Sequence, residues 1–126
     1  MKIILLIGIG GFFGSISRYL LHKMIFELYP GVFPLGTLIV NLLGCLLIGV
    51  IYGLAAKAHL LSHEMRMLLA VGFCGSFTTF STFAYEKLYL LQENALFQAI
   101  IYALLSVVLG VLLVFAGIWL INFLFS

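Results

Sequence analysis

There is no aspartate in this chain, and its four glutamates and six lysines and arginines make up only 8% of 126 residues. A soluble domain of this size carries about a quarter of its residues as charges on a polar surface, so that class is excluded. The net charge of +2 is too small and too scattered for a nucleic-acid surface, and no nucleic-acid partner is expected. Only two cysteines occur, Cys45 and Cys74, and both fall inside apolar runs. That is the setting of small packed side chains, not of a disulfide or metal pair. No nucleophile stands beside a base and no carboxylates pair up, so the chain is not expected to be an enzyme. His59 and His63 have chelating spacing, but nothing near them in sequence completes a metal site.

What the chain does have is apolar length: 65% hydrophobic residues and a mean hydropathy of +1.32. Four segments, about 3–21, 35–56, 65–91 and 96–124, each meet the roughly 20 residues a helix needs to cross a bilayer. The connections between them, 22–34, 57–64 and 92–95, leave no room for an extramembrane module. Met1-Lys2 before an apolar run is signal-like, but no small-residue cleavage site follows, so the first segment reads as a retained helix. The expected fold is an all-α integral membrane protein, a single four-helix domain over 1–126 embedded in the lipid bilayer.

The third segment is interrupted. Gly72-Phe73-Cys74-Gly75-Ser76-Phe77-Thr78-Thr79-Phe80-Ser81-Thr82-Phe83 places two glycines and five hydroxyls where unbroken apolar helix is expected. Backbone that leaves the helix at membrane depth is tolerated only when buried in protein or lining a wet cavity. A break near 75–79 is therefore the candidate site. Phe80 and Phe83 lie three apart and share a helix face, and the positive edges of their rings suit an anion. Thr79, Thr82 and Glu86 fall on an adjoining stripe.

Other polar residues sit at intramembrane positions. Thr37 and Asn41 share a face of the second segment, and Tyr102 and Ser106 a face of the fourth. Arg18 stands one turn before the expected end of the first helix, where it either snorkels or attracts anions to a vestibule. Glu86 and Lys87 are expected at a water interface, and Glu27, Glu64 and Glu93 in solvated loops. With four spans, Lys2, Lys57 and Arg66 share one side, against Lys23, Lys87 and Arg18 on the other. So even a balance predicts insertion both ways up, which permits an antiparallel dimer. Glycines spaced for close helix approach, such as Gly10 and Gly14 or Gly49 and Gly53, fit tight packing.

Three stretches, in order, resemble the Fluc (CrcB) family of fluoride channels: Gly10 to Tyr19, Phe33 to Gly44, and Gly72 to Phe83, the last being the most specific. The resemblance covers nearly the whole chain. It implies a passive fluoride-selective channel in a prokaryotic plasma (inner) membrane, exporting fluoride down its electrochemical gradient and giving resistance to its toxicity. It implies an antiparallel, dual-topology homodimer with a structural sodium ion at its centre, held by the backbone carbonyls of Gly75 and Thr78 from both subunits. Phe80 and Phe83 match the ring pair of the fluoride path, and Asn41 the pore asparagine. Ser81 and Thr82 match hydroxyls beside the break, Tyr102 and Ser106 a polar track on the fourth helix, and Thr37 and Arg18 a vestibule. Gly110 departs from relatives that carry a hydroxyl residue near there. The alternative of the same size, a small multidrug-resistance type proton-coupled antiporter, relies on a carboxylate within the first helix, and none occurs between Ile3 and Leu21.

Overall fold

The computed structural model describes residues 1–57 and 59–126, so one position of the expected 57–64 connection lies outside the described residues. Among the described residues, four spans are long and apolar enough to cross a membrane: Lys2–Leu28, Leu35–Ala56, His63–Gln92 and Leu96–Leu124. The first two are the single helices α1 (Lys2–Leu28) and α2 (Leu35–Ala56). The third is composite: α3 (His63–Arg66), a π-helical stretch Met67–Cys74, α4 (Gly75–Phe77) and, after two extended residues, α5 (Phe80–Gln92). The fourth is α6 (Leu96–Leu124).

The first helix runs seven residues beyond the expected limit at Leu21. Loss of apolarity does not end a helix: His22, Lys23 and Glu27 continue it into a polar setting. It stops at Leu28 because Tyr29 precedes Pro30, whose ring disfavours α conformation in the residue before it. Arg18 is consequently ten residues from the helix end instead of one turn, level with the break, where its guanidinium reaches the Thr78 carbonyl.

Helix α2 packs most extensively on α6, and α1 packs on the π-helical stretch. Small residues make both contacts possible. Gly72 lies so close to α1 that a Cβ there would meet the Ile7 carbonyl and the Gly10 Cα. A buried cluster of Leu38, Leu90, Ala99 and Tyr102, joined by Phe33 and Phe83, ties α2, α5 and α6 together beside the break. Outward, α1 and α6 expose Phe12, Phe13, Val111, Phe115 and Trp119, the pattern of helices solvated by lipid.

The interruption differs in kind from the expectation. Its extended residues are Thr78 (φ −84°, ψ 159°) and Thr79 (φ −149°, ψ 121°), whereas Gly75 is helical at φ −61°, ψ −33°. Gly72 permits close approach of α1, and hydroxyl residues make the break. The π-helical stretch before it was not expected, and such segments gather at functional sites.

Replacing Gly72 with Ala should lower stability by about 1–3 kcal/mol, because the methyl would press on backbone that cannot turn aside. Gly8→Ala, which meets open space, is the control. Thermal melting in detergent distinguishes them: the first should melt earlier than the parent protein and the second should not.

Candidate functional site

The break is fixed by residues from three directions. Asn41 of α2 donates from Nδ2 to the Thr79 carbonyl at 3.1 Å and accepts the Thr79 N–H on Oδ1 at 2.8 Å. One amide thus satisfies both backbone groups of a residue that has left the helix. From α1, the Arg18 guanidinium donates a long bond, 3.4 Å, to the Thr78 carbonyl. Within the span, Thr78 N–H and Oγ1–H both donate to the Cys74 carbonyl, and Thr79 Oγ1 caps α5 by accepting the Thr82 N–H at 3.3 Å. Gly44, one turn beyond Asn41, leaves room for the Thr78 methyl. Ser76 Oγ sits within bonding distance of the carbonyls of Gly11, Gly72 and Phe73, anchoring the other side of the break on α1.

Two cavities meet at Thr79. The larger, about 430 Å³, is lined by Asn41, Gly75, Thr78, Phe80, Phe83 and Ser106 among others. The smaller, about 240 Å³, is lined by Ser15, Arg18, Tyr19, His22, Thr37, Val40, Thr79 and Thr82. Of the residues expected along an ion path, the structure therefore gathers Asn41, Phe80, Phe83 and Ser106 around one cavity and Arg18, Thr37 and Thr82 around the other. Ser81 and Tyr102 line neither. Ser81 is exposed, with its Oγ 3.4 Å from Thr79 Oγ1, and Tyr102 is fully buried. Gly110 lies against Cys45 in the α2–α6 contact.

The two rings form a tilted pair, with centroids 5.8 Å apart. Phe83 also packs on Tyr102 at 4.9 Å, whereas Phe80 is 79% exposed. Lys87 Nζ lies 5.7 Å from the Phe83 centroid, over the negative ring face, which leaves the positive edges for other contacts. Ser106 Oγ is buried with no hydrogen-bond partner. Buried hydroxyls are almost always paired, so this one is available to a ligand.

Glu86, expected at a water interface, is half-buried in the structure, and its carboxylate accepts Thr37 Oγ1–H at 2.6 Å and Tyr102 O–H at 3.1 Å, joining α2, α5 and α6. The stripe of Thr79, Thr82 and Glu86 carried the signal, since it aligned Glu86 with the break. Lys2 pairs with Glu64 at 2.8 Å, which puts the N-terminus and the second loop at one end of the bundle.

The donors suit a small cation in part. A helix continuing past Phe77 would direct the Thr79 N–H to the Gly75 carbonyl; Asn41 takes that N–H instead. The Gly75 carbonyl loses its partner, and the Thr78 carbonyl keeps only the distant guanidinium. These are hard oxygen ligands of the kind small cations take. Two carbonyls from one chain are too few for a coordination shell.

The asparagine clamp predicts a graded series. Asn41→Leu strands the N–H and C=O of Thr79 and should cost about 1–3 kcal/mol for each buried group left unpaired. Asn41→Asp keeps an acceptor for the N–H but opposes an oxygen to the carbonyl. Melting temperatures in detergent should fall in the order Asn, Asp, Leu.

A family model described as CrcB-like protein, Camphor Resistance (CrcB), matches residues 5–118. Among similar proteins, one from Phocaeicola vulgatus is 48% identical over 119 residues, covering 94% of this chain and 98% of the relative. Another from Chlorobium phaeobacteroides is 46% identical over 114 residues, covering 90% and 88%. A third from Leptospira interrogans is 46% identical over 121 residues, covering 96% and 95%. All three are named Fluoride-specific ion channel FluC. With a match of this extent, and with the quoted motifs assembled around one broken span, the chain belongs to the CrcB-like family.

Proposed function

We propose that this protein is a passive fluoride-selective channel that lets fluoride leave the cell down its electrochemical gradient and so protects against its toxicity. The observation that carries this is the donor set of the larger cavity. An amide, hydroxyls and ring edges surround it, an unpaired Ser106 hydroxyl opens on it, and no Lys or Arg lies in its wall. Fluoride is small and strongly hydrated, so conduction needs donors that replace its water without holding it too tightly to leave. A fixed cation in the wall would act as a trap. The N-terminus of α5 adds a partial positive charge next to the break. The names of the relatives support fluoride as the ion. The antiporter reading is not favoured: the only carboxylate of α1 is Glu27, exposed near the helix end and 4.0 Å from Lys23.

The rest of the reading concerns assembly. Phe80, exposed beside the backbone break, argues for a second copy covering that face, because lipid cannot satisfy irregular backbone. The near-even distribution of Lys and Arg favours an antiparallel, dual-topology homodimer. Gly75 and Thr78 carbonyls from two copies would then supply four oxygens to a central sodium ion. Bound there, the ion would offset part of the cost of bringing an anion into the membrane. Arg18 and Thr37 would face an aqueous vestibule, and bacterial relatives fit a plasma (inner) membrane.

Liposomes loaded with fluoride or chloride and containing the purified protein should release fluoride far faster; equal release of both ions would overturn the channel reading. Phe83→Ile, which keeps bulk but removes the ring edge, should reduce fluoride flux by at least tenfold, the loss of roughly 1.4 kcal/mol of barrier stabilisation, while the dimer stays intact. Replacing sodium with a large organic cation should lower the melting temperature of the dimer in detergent. A melting temperature unaffected by sodium would remove the central ion.

A further inference from the structure

The smaller cavity contains an imidazole, that of His22, which lines it together with Arg18, Thr37 and Thr82. Four residues beyond Arg18, His22 shares its face of α1 and stands about 6 Å farther toward the end of the helix. Arg18 is turned to the break, where it reaches the Thr78 carbonyl at 3.4 Å. His22 lies on the outer side of it, half-buried. The ring fills a space that α2 leaves for it: a Cβ on Gly36, in the first turn of α2, would lie 2.9 Å from His22 Cδ2.

Few other charges face this ring. On α1 the titratable neighbours in the cavity are Arg18 and Tyr19, while Lys23 is exposed and 4.0 Å from Glu27. The first turn of α2 contains no acidic residue. From α5, Thr82 lines the cavity, and Glu86 touches it only through the Thr37 hydroxyl that it binds. No carboxylate lines the cavity wall, so a proton on the imidazole adds to the charge of Arg18 and cancels none.

We propose that His22 is the capture residue of the smaller cavity: protonated, it makes a second cation beside Arg18 and speeds the entry of fluoride, and neutral, it leaves Arg18 to recruit alone. This rests on the fluoride-channel reading. A cleft with low-dielectric walls focuses the field of the charges that line it and raises the local concentration of a counter-ion. Imidazole is the side chain whose charge changes between about pH 5 and 8, so conduction rises as the pH falls. His22 is one turn removed from the break and lines only the smaller cavity, so its charge concentrates the anion without standing among the donors around the rings.

The chemistry of the ion gives this dependence a use. Hydrogen fluoride crosses a bilayer as a neutral molecule and ionises inside to one fluoride and one proton. The fluoride is the ion to be exported, and the proton is free to bind an imidazole facing the interior. Each load of acid thereby raises the capture of its own anion. Apart from reversible protonation of the ring nitrogen, no bond of the protein forms or breaks.

Fluoride currents through planar bilayers containing the purified protein test the proposal. At low ionic strength the current should rise roughly two- to fivefold between about pH 7.5 and 5.5, the effect of one added charge across a partly aqueous cavity. An impermeant salt at high concentration should abolish the gain by screening. His22→Gln should conduct at either pH like the parent protein at the higher one, and His22→Lys like the parent at the lower one. Replacing the exposed His59 and His63 with Gln should leave the parent's response intact. A parent that carries no fluoride current would defeat the channel reading itself. A conducting parent with a flat pH profile, a gain that survives high salt, or a profile retained in His22→Gln would defeat only the role of His22. Should His22→Gln fail to assemble, His22→Lys decides the matter, because a pH response persisting beside a permanent charge would overturn the proposal.

Discussion

A backbone broken inside a bilayer must find partners for the groups it frees, and here a single amide meets most of that demand. Asn41 binds both the N–H and the C=O of Thr79, so the chain can turn extended there with both backbone groups of that residue paired. Everything around the site follows from that pair of bonds. Because Thr79 is turned toward α2, its N–H no longer serves the Gly75 carbonyl. Because the helix restarts at Phe80, the two rings project into the same cavity. The residue holding the break in place thereby also forms part of the cavity wall, and the same donor and acceptor cannot be given freely to an ion.

That economy recurs across the bundle. Hydroxyls near the break are engaged with one another, with backbone carbonyls or with Glu86, and Ser106 is the buried exception. Charge is kept to the margins of the cavities: Arg18 at one side of the break, Lys87 over a ring face, Glu86 behind two hydroxyls. An anion approaching the rings meets a neutral surface whose protons are mostly taken. Conduction then depends on exchange between partners of similar strength, which allows rapid passage without a deep binding well.

Much of this was legible in the sequence, and the failures have physical causes. Four spans follow from apolar length, and the broken third span from hydroxyls placed where lipid would surround a continuous helix. The end of α1 was misjudged because apolarity marks the membrane, whereas Pro30 marks the end of the helix. The break falls at Thr78 and Thr79, within the expected 75–79, while Gly72 and Gly75 stay helical; the close approach of Gly72 to α1 is displayed only by the packed structure. A π-helical stretch depends on what lies against it and has no sequence signature of its own. The partners of Glu86 were not legible because they are distant in sequence: Thr37 lies 49 residues earlier and Tyr102 16 residues later.

The smaller cavity, between Arg18, His22 and Thr82, has an electrical meaning. As the aqueous vestibule proposed above, it would carry the potential of the adjoining solution inward to the level of Thr79, because water conducts far better than hydrocarbon. The voltage across the membrane, about 2.3 kcal/mol per elementary charge for each 100 mV, would then fall mainly across the stretch occupied by Asn41, the broken backbone and the rings. An ion would meet the steepest field where it touches the protein only briefly.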